Sequence, residues 1–344
     1  MTQLPLTTAL IGTGMVARTH VAAIMDSYAV TLKGVCARRP ERAQSFADEV
    51  GDGLMVYADA AAIAADRNID FAIIATPPDA RLDLIKPLAE AGKPILLEKP
   101  MARNAAEAEQ VVELCEQAGV PLGIVFQHRM RAASLKATEM VRFGDLGALG
   151  LVEIAVPWWR EQSYYDEPGR GTYARDGGGV LIRQAIHTID LALSLTGPVQ
   201  TVQAMLGTTR FHEMESEDVA VAGLRFANGA LGTLTASTAS FPGTAETMTL
   251  LFDKASLHLG SGVLGGSWRD GRTETFGAQG GTGGGADPMA FTHDWHQGII
   301  EDFADALTNG RPPIVTGRQA LASHQLIEAL TQSSEQGRLV EVAA

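Results

Sequence analysis

Three ionisable side chains interrupt the apolar stretch GGGVLIRQAIHTID (residues 177–190): Arg183, His187 and Asp190. Spacings of four and three put them on one helical face, leaving the apolar residues for packing. Histidine titrates near neutral pH and arginine binds carboxylates or phosphates bidentately, so such a stripe can move a proton and hold an anion. Lys99 is a second residue in an unusual place. In ILLEKPMA it lies between Glu98 and Pro100 at the end of a buried apolar run. An ammonium group there costs desolvation unless it has partners, and such placements concentrate at functional sites.

A third pattern, ALIGTGMVA, gives Gly12-Thr13-Gly14-Met15-Val16-Ala17, a G-x-G-x-x-A spacing directly after an apolar run. Gly12 permits a tight turn, Gly14 lets backbone approach a pyrophosphate, and Ala17 lets helix and strand pack closely. The phosphates then sit on a helix N-terminus, so this is a dinucleotide-binding turn. The end of the next apolar run, GVCARRPERA, carries Arg38 and Arg39 and no acid before Glu41. An NAD site places a carboxylate there for the ribose hydroxyls, whereas arginines suit a 2′-phosphate. The pattern favours NADP(H), with NAD(H) as the alternative.

The elements that must position these residues change character along the chain. Up to residue 126, continuously apolar runs (TTALIG, VTLKGVCA, DFAIIAT, KPILLE, PLGIVF) alternate with helix-like segments, two of which close in Ala-Gly. Parallel strands covered on both faces read this way. The pattern predicts a doubly wound parallel (Rossmann) α/β domain over residues 1–126. Beyond it, partly solvated strand-like segments predict an α+β domain over residues 127–344 with an open, mainly antiparallel sheet. FANGALGT reads as a hairpin turning at Asn228-Gly229, HEMESED (212–218) as a solvated loop and GAQGGTGGGADP (277–288) as a mobile one. An open sheet needs one face covered, which a symmetric partner can do, so a homodimer or homotetramer through this sheet is expected.

The 344 residues are 46% hydrophobic and carry a formal net charge of −13. That is enough apolar material for one or two cores, and the acidity argues against a nucleic-acid partner. No apolar run reaches the roughly 18 residues of a membrane helix, and the N-terminus has no signal-peptide pattern. Cys36 and Cys115 show neither disulfide nor metal spacing, so the expectation is a reduced, cytoplasmic protein without a membrane partner.

GTGMVA, ATPPDAR (75–81), EKP, FQHRMR (126–131), GGGVLIRQAIHTID and IIEDFADAL…GRPPIVTG occur in this order. In these motifs nearly the whole chain resembles the glucose-fructose oxidoreductase / inositol dehydrogenase / MocA family. The resemblance implies an oxidoreductase whose N-terminal domain binds NAD(P), with Thr76, Pro77 and Pro78 lining the cofactor and Glu98 and Gln127 near the nicotinamide and its ribose. It implies a cis Lys99-Pro100 bond, with Lys99 binding the reacting oxygen of a polyol, sugar or related substrate and His187 as general base. Trp159, Arg160, Tyr165 and His296 carry over as substrate-pocket residues. Some relatives instead retain NAD and cleave glycosides through transient oxidation, and a non-catalytic dinucleotide-binding regulator is the other alternative.

The family usually has Asp or Asn where this chain has Arg183. Two arrangements fit the departure. Arg183 can offer a bidentate site to a substrate carboxylate, which makes the small-molecule substrate an anion such as a sugar acid or a carboxylated cyclic diol. Alternatively it pairs with a protein carboxylate such as Asp176 or Glu153. His293 and His296 lie three apart on a helix-like stretch, but the sequence offers no recognisable third ligand and no metal is expected.

Overall fold

The protein is described by a computed structural model covering residues 5–51, 53–278 and 292–343, so most of the glycine-rich stretch at 277–288 lies outside the described residues. The chain forms two compact units, Met1–Gln127 with Thr292–Leu321, and His128–Phe291 with Ala322–Ala344.

The first unit holds a parallel sheet of six strands: β1 (Leu6–Ile11), β2 (Val30–Cys36), β3 (Met55–Tyr57), β4 (Phe71–Ile74), β5 (Ile95–Glu98) and β6 (Leu122–Val125). Their order is β3-β2-β1-β4-β5-β6, so the winding reverses between β1 and β4. Every residue of β4, β5 and β6 is buried, as the continuous apolar runs require of strands covered on both faces. The Ala-Gly signals end helices as read: Gly92 and Gly119 take φ +71° and +66°, left-handed conformations that favour glycine. Ligands of such sheets bind outside the carboxyl ends of the strands at the reversal, which is where Gly12 and Ala75 lie.

The helix Asp294–Asn309 belongs to this first unit, whereas the sequence reading places it in the domain of residues 127–344. Its Phe303 is fully buried, with its ring centroid 5.4 Å from that of Phe71. A Cβ at Gly123 would come 2.6 Å from the Phe303 ring, so the glycine makes room for the helix.

The second unit is built on a nine-stranded sheet of β7 (Leu149–Pro157), β8 (Val199–Gly207), β9 (Val219–Phe226), β10 (Leu231–Ser237), β11 (Thr247–Phe252), β12 (Ala255–Gly260), β13 (Val263–Trp268), β14 (Thr273–Gly277) and β15 (Val340–Glu341). The order is β14-β13-β12-β11-β7-β10-β9-β8-β15, antiparallel throughout except for the β7–β10 pair. Buried and exposed residues alternate along β9 and β10, so one face packs inward and the other is open. Gly229, at φ +89°, forms the turn joining these two strands. No helix among the described residues is long and apolar enough to cross a membrane.

Candidate active site

In the first unit the dinucleotide turn follows β1. Gly12 has φ +108°, its N–H donates to the Cys36 carbonyl at 2.8 Å, and a Cβ there would meet the Ala75 carbonyl oxygen at 2.7 Å. Gly14 is the opposite case: it is exposed, and an added Cβ meets nothing within 4 Å. Ala17 is fully buried at the start of the helix Ala17–Met25. A fixed turn, open backbone and a helix N-terminus behind it suit a pyrophosphate. Thr13 and Val16 are half-buried and Met15 is exposed beside the turn. Arg38 and Arg39 follow β2, both exposed, with Arg39 at the N-terminus of the helix Pro40–Val50.

The loop carrying Lys99 is held from two sides. The Lys99-Pro100 bond is cis, as the resemblance implies. Arg81, only 2% exposed, donates to the backbone carbonyls of Glu98 and Pro100 and to that of Thr76, the last at 2.6 and 3.1 Å. One guanidinium thus joins Lys99's loop to the Thr76-Pro77-Pro78 segment, where Pro77 is exposed and Pro78 buried.

From the other side, Glu98 meets two histidines. His20 Nε2 lies 2.9 Å and His296 Nε2 3.5 Å from Glu98 Oε1, while Glu98 Oε2 accepts from the Lys99 N–H at 3.0 Å. Burial alone would raise the Glu98 pKa, but the hydrogen bonds from His20 and His296 hold it well below the ordinary carboxylate range. The three side chains also have the types and spacing of metal ligands, their ligand atoms lying within 4.8 Å of one another. His20 Nδ1, however, is buried with no hydrogen-bond partner among the described residues. That places the ring proton on Nε2, donating to Glu98. A metal on Nε2 would strand the proton on Nδ1, so the set fits a hydrogen-bonded triad better than a metal centre.

In the second unit GGGVLIRQAIHTID is helical only after its three glycines, and Leu181–Ala185 is a π-helical segment leading into the α-helix Ile186–Thr196. His187 is buried and stacks on His128, ring centroids 4.6 Å apart and 23° from parallel. Behind it, Arg131 bonds His128 at 2.6 Å and pairs with Glu246, which also accepts from Trp158 Nε1 at 3.2 Å. Asp190 is fully buried and takes a bidentate pair from Arg129, both contacts 2.7 Å, which anchors the helix. Arg183 is partly exposed and donates to Asp176 at 3.2 Å, the protein-carboxylate arrangement.

Sequence reading missed what holds the start of this helix. HEMESED was read as solvated, yet His212, Ser216, Glu217 and Asp218 are all buried. Glu217 accepts from Gly179 N at 3.0 Å and Leu181 N at 3.1 Å through its carboxylate, and from Val180 N at 2.9 Å through its carbonyl. It satisfies the free N–H groups of a helix end. A Cβ on Gly179 would fall 1.8 Å from the Glu217 carbonyl oxygen, which explains that glycine.

Of the remaining pocket candidates, Trp159, Arg160 and Tyr165 gather around His212, whose ring centroid lies 5.6 Å from that of Trp159 and 4.9 Å from that of Tyr165 and whose Nε2 lies 2.8 Å from the Arg160 carbonyl oxygen. Arg160 is buried, its guanidinium 5.3 Å from the Trp158 ring centroid and 5.7 Å from that of Tyr164. Tyr165 is buried and bonds Thr238 Oγ1 at 2.6 Å, and Trp159 is half-buried, donating to Glu161 at 2.8 Å. His296 is 1% exposed and faces Glu98 in the first unit, while His293 bonds Asp26 at 2.8 Å. Gln127 is buried at the end of the first unit.

Residues 6–126 match the model of an oxidoreductase family with an NAD-binding Rossmann fold, and residues 134–258 match the GFO/IDH/MocA C-terminal domain. The chain belongs to the GFO/IDH/MocA family of oxidoreductases. Among its relatives in the family is a D-apiose dehydrogenase from Rhizobium rhizogenes, 28% identical over 354 residues, covering 98% of this chain and 97% of that protein. The rhizopine catabolism protein MocA of Rhizobium meliloti is 30% identical over 192 residues, 56% of this chain and 57% of its own. Of solved structures, the WlbA dehydrogenase from Bordetella pertussis in complex with NADH and UDP-GlcNAcA matches with a TM-score of 0.84 and 27% identity, covering 100% of this chain and 99% of that one.

Proposed function

We propose that the protein is an NAD(P)-dependent dehydrogenase or reductase acting on a secondary alcohol or ketone of a sugar, cyclitol, sugar acid or carboxylated cyclic diol. The observation that carries the reading is Lys99 on a loop fixed by Arg81 and Glu98, in the same unit as an open G-x-G-x-x-A turn. The D-apiose dehydrogenase relative and the WlbA complex with NADH and UDP-GlcNAcA support the carbohydrate class.

Gly12 to Val16, Thr76, Pro77, Pro78, Glu98 and Gln127 hold the dinucleotide. Bound nicotinamide supplies hydride transfer at C4. Lys99 donates a hydrogen bond to the reacting oxygen and stabilises negative charge developing there. His187 takes the hydroxyl proton in oxidation and returns it in reduction, its ring orientation set by the stack on His128. Trp159, Arg160 and Tyr165 belong to the substrate domain, residues 127–344, which also forms the homo-oligomer through its open sheet. Exposed Arg38 and Arg39 favour NADP(H) through its 2′-phosphate.

Reduction of NADP⁺ and NAD⁺ by a panel of polyols, uronates and carboxylated diols, followed by nicotinamide absorbance, tests the reading. Lys99→Ala and His187→Ala should each lower kcat by about 10²- to 10⁴-fold on the substrate that turns over. Arg38→Ala with Arg39→Ala should weaken NADP⁺ more than NAD⁺. A protein inert to the whole panel with both cofactors, or unaffected by either single substitution, refutes it.

A further inference from the structure

The segment FQHRMR turns a buried arginine back onto a histidine. Gln127–Met130 is a short 3₁₀ helix, and side chains three apart eclipse in such a turn, so Arg131, the next residue, stands over His128. The Arg131 N–H donates to the His128 carbonyl at 3.3 Å, and Arg131 Nη2 lies 2.6 Å from His128 Nε2. Glu246 holds the guanidinium from the other side, and its second carboxylate oxygen accepts from Trp158 Nε1 at 3.2 Å. All four residues are buried. Arg129, beside His128, pairs with Asp190 on the helix that carries His187, which seats the segment against that helix. His128 then stacks on His187, ring centroids 4.6 Å apart.

A guanidinium donates and never accepts, so His128 Nε2 offers it a lone pair and the ring proton is on Nδ1. A ring in that state has no nitrogen left to take a second proton. We propose that Arg131 is a positioning residue for proton transfer, holding His128 as the neutral Nδ1–H ring and so directing the substrate proton to His187. The assignment rests on the dehydrogenase reading, in which His187 is the base. In oxidation the substrate gives its hydroxyl proton to His187 and its hydride to the nicotinamide, and His128 stays neutral. That neutrality matters because a second imidazolium in the stack would repel the first. The two arginines of the segment each have a carboxylate, Arg131 with Glu246 and Arg129 with Asp190. The hydrogen bond to Nε2, and not net charge, therefore sets His128 apart from His187.

Nuclear magnetic resonance of nitrogen-labelled histidine rings near neutral pH reads the tautomer directly, with His128→Phe identifying the His128 signals. Wild type should show His128 neutral with its proton on Nδ1. Arg131→Met combined with Glu246→Gln removes the donor without leaving a carboxylate buried alone, and the Nδ1–H form should then lose its dominance. On the substrate that turns over, this pair of substitutions should lower kcat by about tenfold or more with KM within about threefold. In a His128→Phe background the same pair should cost less than about threefold, because the ring it acts on is gone. His128 protonated, or carrying its proton on Nε2, in the wild type overturns the proposal, and that spectrum decides even if the paired variant does not fold. An unchanged kcat, or an equal loss with and without His128, overturns it too. A locked tautomer in a protein inert to every substrate refutes the dehydrogenase reading instead and leaves the hold on His128 standing.

Discussion

Glu98 is ionised where burial alone would neutralise it, because His20 and His296 donate to its carboxylate. The cost falls on His296, whose pKa burial lowers from 6.5 despite the pull of Glu98. Both groups make folding depend on pH in the same direction. A depressed folded-state pKa gives stability that is complete above the unfolded value and is lost as pH falls. For His296 that loss begins below 6.5 and for Glu98 below 4.5. The urea midpoint should therefore drop as pH falls from about 7 to about 5, and His296→Gln, which keeps a donor but cannot titrate, should flatten that slope. Parallel slopes for wild type and variant would show that His296 does not titrate with folding. At this scale the sequence was half legible. Glu98 and Lys99 announced themselves as charges ending an apolar run. His20, 78 residues from Glu98, and Arg81, 17 residues from it, carry no local sign of the contact they make. Their buried positions on helices are ordinary until the sheet brings β1, β4 and β5 together.

Elements were more legible than their supports, because apolar period and glycine chemistry are local signals. The turn after β1 was read residue by residue, and its two glycines now separate into different roles. Gly12→Ala should destabilise the first unit by about 1–3 kcal/mol, since its Cβ would meet the Ala75 carbonyl at 2.7 Å at φ +108°. Gly14→Ala should leave thermal stability within about 0.5 kcal/mol of wild type, its Cβ having open space, and still weaken the dinucleotide. Melting curves paired with NADPH fluorescence titrations distinguish the two. If Gly14→Ala binds NADPH as tightly as wild type, the pyrophosphate does not approach that backbone. The helix holding His187 was placed correctly, yet its π-helical start was not foreseen. A π segment bonds residues five apart and shifts the phase of everything after it, and no composition marks it. Its anchor, Glu217, sits in an acidic run that looks solvated because charged residues in series usually are. Gly179→Ala tests that anchor: its Cβ would overlap the Glu217 carbonyl, so stability should fall by at least about 1–3 kcal/mol while NADPH binding by the first unit persists. An unchanged melting temperature would mean that the helix start can move away from Glu217.

For the whole molecule, the open face of the nine-stranded sheet is the surface on which the proposed homo-oligomer can be tested. Leu151 pairs in register with Leu231 on one neighbouring strand and with Leu251 on the other, giving an apolar row across β11, β7 and β10. Leu151 and Leu231 are 38% and 48% exposed. The alternation that buries one face of β9 and β10 leaves this row facing outward, and such a row favours a self-complementary contact about a twofold axis. Replacing both leucines with lysine puts two like charges per protomer against their copies, which costs several kcal/mol across such a contact. Leu151→Lys with Leu231→Lys should therefore weaken self-association by at least about 100-fold and shift the light-scattering mass to that of one chain. Its melting temperature should fall only by the contribution of the lost association, because neither leucine lies in the inward-packed layer. A wild-type protein already at the mass of one chain removes the sheet from consideration as an interface. A double variant that keeps the wild-type mass moves the contact to another surface.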